Sequence, residues 1–116
     1  MDKHEITGTP EEVDLVATEV MKWRKVNMPW GVTVWQDEEG KNHGSIGSWN
    51  PFKSWDDAGK VWKRLRELDF VLRIYDGKER VMCEAFRGAF TTTIYAEAED
   101  VPTALCRAAL LTTLEE

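Results

Sequence analysis

The sequence predicts an α+β domain built on a three-stranded antiparallel meander with three flanking helices. The main observation is segment 70–98, in which runs rich in β-branched and aromatic residues are separated by turn residues at 76–77 and 87–88. The second observation is a set of helical patterns, each introduced by an N-capping residue. An apolar run at 32–35 predicts one further short strand, followed by a turn at 37–40.

Alternation along the meander predicts two faces, which we call the core face and the mixed face. The core face is apolar and comprises Phe70, Leu72, Ile74, Val81, Cys83, Ala85, Phe90, Thr92 and Ile94. The mixed face comprises Val71, Arg73, Tyr75, Arg80, Met82, Glu84, Thr91, Thr93 and Tyr95. This division predicts that one side of the sheet packs in the core and that the other carries charge.

Loop lengths predict the strand register. A two-residue first turn would oppose Arg73 and Arg80, a like-charge pair that destabilises a sheet. A four-residue loop at 76–79 pairs Arg73 with Met82 instead, and we prefer it. A two-residue second turn would set Tyr95 opposite Arg80.

The three helices have clear starts. The first begins after Thr9, with Glu12 completing a capping box, and runs to about Lys25. The second follows Ser54 and extends to about Leu68. The third follows Asp100. The residues expected to be buried on the helices are Val13, Val16, Ala17, Val20 and Met21, then Ala58, Val61, Trp62 and Leu65, then Ala104, Leu105, Ala108, Leu111 and Thr112.

Size and composition predict one soluble domain, 1–116. The hydrophobic content of 42% supports a core at this length, and the net charge of −6 argues against binding to double-stranded DNA. No apolar run is long enough for a membrane span, so we expect no membrane partner and a cytoplasmic location. Cys83 and Cys106 are expected to be small packing residues.

The segment 26–53 is rich in glycine and tryptophan. All six tryptophans lie between residues 23 and 62, and a long loop of this kind is often functional. Each ring alone is best explained by packing. As a group, Trp30, Trp35 and Trp49 become candidates for stacking on a planar ligand.

The last helix carries a family resemblance. Residues 96–114, AEAEDVPTALCRAALLTTL, resemble the C-terminal signature of the phage ABA sandwich domain family, and Met21-Lys22-Trp23 and Trp49-Asn50-Pro51 resemble further parts of it. The resemblance implies a small phage or prophage protein in which helices sandwich a sheet. It supplies no catalytic residues. Arg107 is the one family position expected to do more than pack, either by pairing with the acidic segment 97–100 or by reaching a ligand.

The sequence gives little support for catalysis, and we expect no catalytic residue, metal or cofactor. Asp37, Glu38, Glu39 and His43 lack the spacing of a calcium or zinc site and are best explained as a solvated turn. Neither cysteine pairs with a histidine in a recognisable motif.

Binding is therefore the predicted function. Arg73 and Arg80 suit phosphate, and Tyr75 and Tyr95 suit stacking on a base. With Trp30, Trp35, Trp49 and Arg107 they form the predicted ligand-binding set. We expect a non-catalytic protein of the infected or lysogenic host's cytoplasm that sequesters a small nucleotide-derived signal of host defence. The alternative is a protein–protein interaction module that inhibits or adapts a host or virion protein, and homo-oligomerisation is compatible with either function.

Overall fold

The computed structural model describes residues 6–88 and 93–114. The elements follow in the order α1, three short strands, α2, three longer strands and α3. Their bounds are α1 Pro10–Leu15, β1 Arg24–Asn27, β2 Thr33–Gln36, β3 Asn42–Ser45, α2 Trp55–Glu67, β4 Val71–Asp76, β5 Val81–Phe86, β6 Ile94–Ala98 and α3 Val101–Leu114. The predicted α+β class with antiparallel pairing is confirmed.

The first helix begins as predicted but ends earlier. Thr9 and Glu12 form the capping box, and a π-helical turn at Val16–Val20 continues α1. Lys22 then takes a φ of 60°, which stops the helix, and the chain enters β1 at Arg24. The prediction of helix to about Lys25 was wrong by about four residues. The reversal places the Trp23 ring in the core, and that burial outweighs continued helix.

The tryptophan-rich segment forms a separate sheet. The strand predicted at 32–35 is β2, and it pairs with β1 on one side and β3 on the other. A one-turn 3₁₀-helix, Ile46–Ser48, follows β3. Strand pairing and this helical turn therefore order the part of the segment that follows the 37–40 turn.

The meander forms the second sheet, with β5 between β4 and β6. Its register differs from the prediction by two residues in the first hairpin, since Arg73 lies opposite Glu84 rather than Met82. In the second hairpin Tyr95 also lies opposite Glu84, not Arg80, because the connection is longer than two residues. Both shifts are even, so the face assignments are unchanged. Phe90, Thr91 and Thr92 lie outside the described residues.

The helices cap as predicted, and most of the helix residues expected to be buried are buried, but Met21, Trp62 and Leu111 are only half-buried. The Ser54 hydroxyl accepts from the backbone N–H of Asp57, and Asp100 accepts from that of Thr103. Asp69, at a φ of 70°, closes the C-terminus of α2. The third helix covers the core face of the second sheet, where Ala104 and Ala108 are fully buried.

The mixed face is open to solvent. The observed register adds Phe86 and Glu97 to the predicted members. Val71, Tyr75 and Tyr95 are each about half exposed, and Arg73 and Arg80 are exposed as well. Among the described residues this sheet therefore has its helical cover on the core face.

Candidate functional site

The predicted ligand-binding residues fall in different places. Arg73, Tyr75, Arg80 and Tyr95 lie on the mixed face. The first three of them contact other residues of the same face. The Nε of Arg80 lies 3.4 Å from an oxygen of Glu97, and the Tyr75 hydroxyl donates to Glu84 at 3.3 Å. The guanidinium of Arg73 lies over the Phe86 ring at 5.2 Å.

The remaining predicted residues are scattered. Trp35 is fully buried and Trp49 is 3% exposed, so neither ring offers a free surface for stacking. Trp30 is 68% exposed in the turn between β1 and β2. Arg107 donates to the backbone carbonyls of Ile6 and Glu97, so its described contacts tie the N-terminal segment and β6 to α3.

A cleft of about 740 Å³ lies between the β2–β3 hairpin and α2. One wall is basic, since Lys60, Lys63 and Arg64 project from one side of α2. The opposite wall is the hairpin turn, and Met21 and Trp23 line the cleft between them. The full lining is Met21, Trp23, Asp37, Glu38, Glu39, Lys41, Asn42, His43, Gly44, Lys60, Lys63, Arg64 and Glu67.

The hairpin holds an Asp–His pair inside this cleft. The Nε2 of His43 lies 2.8 Å from Asp37 Oδ2, and the other carboxylate oxygen accepts from the backbone N–H groups of Glu39 and Lys41 at 2.9 Å. The hydrogen bond from His43, followed by that from Lys41, holds the pKa of Asp37 below its usual value. An ionised Asp37 is an acceptor only, so it fixes a proton on Nε2 and leaves Nδ1 as the second polar atom of His43.

An aromatic stack supports the imidazole from behind. The rings of His43 and Trp23 are parallel within 10°, with 4.3 Å between centroids. Trp23 in turn meets Trp49 edge to face at 4.7 Å. Because Trp23 and Trp49 are both buried, this chain of rings anchors the cleft to the core.

On the basic wall, Arg64 is hydrogen-bonded to the backbone, whereas Lys60 and Lys63 are exposed to solvent. Arg64 donates from Nε to the carbonyl of Val20 at 3.0 Å, and its NH1 lies 3.9 Å from Glu67. The ion pair that Glu67 makes among the described residues is with Arg64. Lys60 and Lys63 are exposed at the rim, where they are available to an anion.

The two cysteine thiols both have raised pKa values. Burial, and then the charge of Glu84, raise the pKa of Cys83 to about 12, and burial also raises that of Cys106. No group of three or more His, Cys, Asp or Glu side chains in residues 6–88 and 93–114 is placed to hold a metal ion. Nor does any helix in that part of the chain have the length and apolarity to cross a membrane.

Sequence reasoning had assigned Asp37 and His43 to a solvated turn. Their side chains are only 24% and 19% exposed, because the hairpin folds them against Trp23. A usable signal was present: an acid and a histidine six residues apart, on either side of a Gly40 turn, face each other if both flanks are strands. The missing element was β3, whose Asn-His-Gly-Ser composition does not indicate a strand.

Comparison with known proteins decides the family. The model of the Phage ABA sandwich domain matches residues 14–110, which is most of the chain. The chain belongs to the phage ABA sandwich domain family. No protein with a curated description matches the sequence.

A solved structure supports the fold. The crystal structure of a phage protein from Bacillus cereus ATCC 14579 superposes with a TM-score of 0.62, covering 91% of this chain and 92% of that one. The two sequences are 15% identical, so the similarity concerns the fold alone. The resemblance of the last helix to the phage ABA sandwich family is confirmed by the family-model match, which includes most of that helix.

Proposed function

We propose that this phage ABA sandwich protein is a non-catalytic binding protein, and that it holds a small anionic, nucleotide-derived ligand in the cleft between α2 and the β2–β3 hairpin. The observation that carries the proposal is the basic wall. Lys60 and Lys63 are exposed beside the backbone-anchored Arg64, whose charge is partly offset by Glu67 of the same wall, so this side of a cleft large enough for a nucleotide carries a net positive charge. Ammonium and guanidinium groups are the usual protein partners of phosphate.

The opposite wall favours a nucleotide over inorganic phosphate. The hairpin presents the exposed carboxylates of Glu38 and Glu39 and the exposed ammonium group of Lys41 beside the imidazole of His43, and with Asp37 it carries more negative than positive charge. Carboxylates accept hydrogen bonds from the amino groups of a base and repel phosphate. A ligand that is anionic at one end and rich in N–H donors at the other would match both walls.

Binding without conversion is part of the proposal. Both cysteine thiols are buried and held in the protonated form, which makes a thiolate nucleophile unfavourable. A phage or prophage protein of this kind would act in the host cytoplasm by stoichiometric capture of a nucleotide signal, such as one used in host defence.

Thermal stabilisation across a panel of linear and cyclic nucleotides tests the proposal, since a ligand at 100 times its Kd stabilises the folded state by about 2.7 kcal/mol. We expect at least one adenine, guanine or cytosine nucleotide to raise the melting temperature and to be recovered unchanged afterwards. The Lys60→Gln/Lys63→Gln variant should lose the shift. A matched control, Lys78→Gln/Arg66→Gln, removes the same charge from exposed positions outside the cleft lining and should keep it.

A second candidate function is protein–protein interaction through the mixed face. It is favoured by the exposed Val71, Tyr75 and Tyr95, which are the residue types of interface cores. This function would be the better description if two results were obtained. No nucleotide of the panel would change the melting temperature, and a protein partner would lose its binding when Tyr75 or Tyr95 is substituted.

A further inference from the structure

The mixed face combines exposed apolar area with balanced charge. Val71 is 51% exposed, Tyr75 45% and Tyr95 47%, and Met82 and Phe86 lie half-buried between them. These five side chains give the face a contiguous apolar strip among its charged residues, which is a feature shared with protein interaction surfaces. It lies on the second sheet, whereas the cleft lies between the first sheet and α2, so the two surfaces are distinct.

Charge on this face points to one kind of occupant. Its charged residues are Arg73, Arg80, Glu84 and Glu97, with Glu99 at the end of the Arg80 row, so the face is close to neutral on a chain of net charge −6. Two acidic chains repel each other through most of their surfaces, and a neutral patch with both signs is where that repulsion is least. A strongly acidic or basic partner would find no complementary charge here.

We propose that the occupant is a second copy of this chain, docked face to face by a twofold axis that crosses the strands. The observed register gives two central rows, Arg73–Glu84–Tyr95 and Tyr75–Met82–Glu97. This axis places the Arg73–Glu84–Tyr95 row of one copy over the Tyr75–Met82–Glu97 row of the other copy. Arg73 then meets a tyrosine ring, Tyr95 meets a carboxylate, and no like charges are opposed.

The outer rows fit the same axis. Phe86 lies one row beyond Arg73, and Arg80 lies one row beyond Tyr75, so the axis brings the guanidinium of one copy over the Phe86 ring of the other. Arginine already lies over this ring within the chain, since Arg73 is 5.2 Å from its centroid. The dimer would therefore extend a contact type that the isolated face has already formed.

The size of the face predicts a reversible dimer. Strands of five to six residues, at about 3.3 Å per residue and about 4.8 Å apart, give a patch of roughly 20 Å by 14 Å. Two patches of this outline cover only roughly 560 Å², which is below the about 1,200 Å² of a standard stable interface, so the association should be weak. We expect half-association at roughly 0.1–1 mM.

Sedimentation velocity over a concentration series tests the dimer. The parent should pass from monomer to dimer as its concentration rises through this range, and Tyr95→Glu should remain monomeric because it opposes Glu97 of the second copy. The matched control is Trp55→Glu, which also changes an exposed aromatic residue to an acid, at the first residue of α2. An acid is well tolerated there, and this variant should dimerise like the parent.

Two results would overturn the proposal. If the parent stays monomeric up to millimolar concentration, the occupant of the mixed face is not a second copy of this chain. If the Tyr95→Glu variant dimerises normally, the dimer interface is not the mixed face. If Tyr95→Glu fails to fold, the location of the interface can be tested on the parent instead. The measurement is the change in its amide chemical shifts when the protein is diluted. Shifts in β4, β5 and β6 support the face, and shifts confined to other elements contradict it.

Discussion

The imidazole of His43 lies flat on the indole of Trp23, with 4.3 Å between the ring centroids. Asp37 holds the same imidazole from its edge, and Trp49 supports Trp23 from the core side. The hairpin is thereby fixed to the hydrophobic core through His43 of β3 as well as through the buried Trp35 of β2. The cleft owes its shape to this chain of contacts, because His43 is the hairpin residue that joins β3 to the core cluster.

Replacing His43 with Gln should loosen this arrangement. The hydrogen bond that contributes most to the lowered pKa of Asp37 would be weakened, so that pKa should rise towards its usual value. Because the folded-state pKa is depressed, ionised Asp37 stabilises the fold above its ordinary pKa, and this contribution disappears as the pH falls through the folded value. An NMR titration of the Asp37 carboxyl in parent and variant measures the change. Identical titration curves would contradict the role assigned to His43.

Glu12 should make the N-terminal segment sensitive to acid. Burial alone would raise the pKa of Glu12, but N–H groups of Thr9, Thr7 and Gly8 all donate to Oε1 at 2.8–2.9 Å, and the net pKa is lowered. The ionised carboxylate therefore contributes stability above about pH 4.5, and the contribution is lost as the pH falls through the lower folded-state value.

The variant Glu12→Gln isolates this effect. It should lower the free energy of unfolding at pH 7 by about 1–3 kcal/mol, since hydrogen bonds to a charged group are replaced by weaker ones. Denaturant unfolding at pH 7 and at pH 3 measures the difference between parent and variant. That difference should shrink at pH 3, and a constant difference would show that the charge of Glu12 plays no part. Glu11→Gln, on an exposed neighbour, is the control.

The cysteines should be unreactive in the folded protein. Cys83 and Cys106 are both fully buried, and the raised pKa of each leaves almost no thiolate at neutral pH. Labelling with a thiol reagent should follow global unfolding, and Cys→Ala variants that fold should keep any ligand binding. Native labelling of either thiol faster than a free cysteine would reopen the question of an enzyme.

Ala108 should tolerate no enlargement. It is fully buried in α3, the helix that packs on β5 and β6. Ala108→Leu adds three carbons to this contact and should destabilise the protein by roughly 1–3 kcal/mol through overpacking. Thermal melting of the variant checks this, with Thr103→Leu at a half-buried position of the same helix for comparison. Equal melting of Ala108→Leu and the parent would mean that the packing at this position can expand.

The sequence pattern predicted correctly the elements for which capping residues and hydrophobic periodicity indicate the same structure. The caps at Thr9, Ser54 and Asp100 and the alternation of the meander each point to one structure, and each is observed. The register was less well determined, because avoiding the Arg73–Arg80 pair excludes one pairing without selecting another. The observed register sets Arg73 opposite Glu84 and brings Arg80 near Glu97, so opposite charges meet in both places.

The cleft could not be predicted because its parts are joined by tertiary contacts. Arg24 and Lys25 read as the end of a helix, and only the burial of Trp23 turns them into a strand. The tryptophans show the same limit: Trp35 and Trp30 lie five residues apart, yet one is fully buried and the other is 68% exposed. Composition identifies such rings as important without saying which of them meets solvent.

The most direct test is a fluorescence titration of the parent with the nucleotide that gives the largest thermal shift. Trp23 reports on the cleft because His43 covers its ring, so a bound ligand that contacts His43 should change the emission. We predict a saturable change at one ligand per chain, lost in Lys60→Gln/Lys63→Gln and unchanged in Arg73→Gln/Arg80→Gln on the mixed face. Loss of binding in the mixed-face variant but not in the cleft variant, or no saturable change with any nucleotide, would contradict the assignment of the cleft as the ligand site.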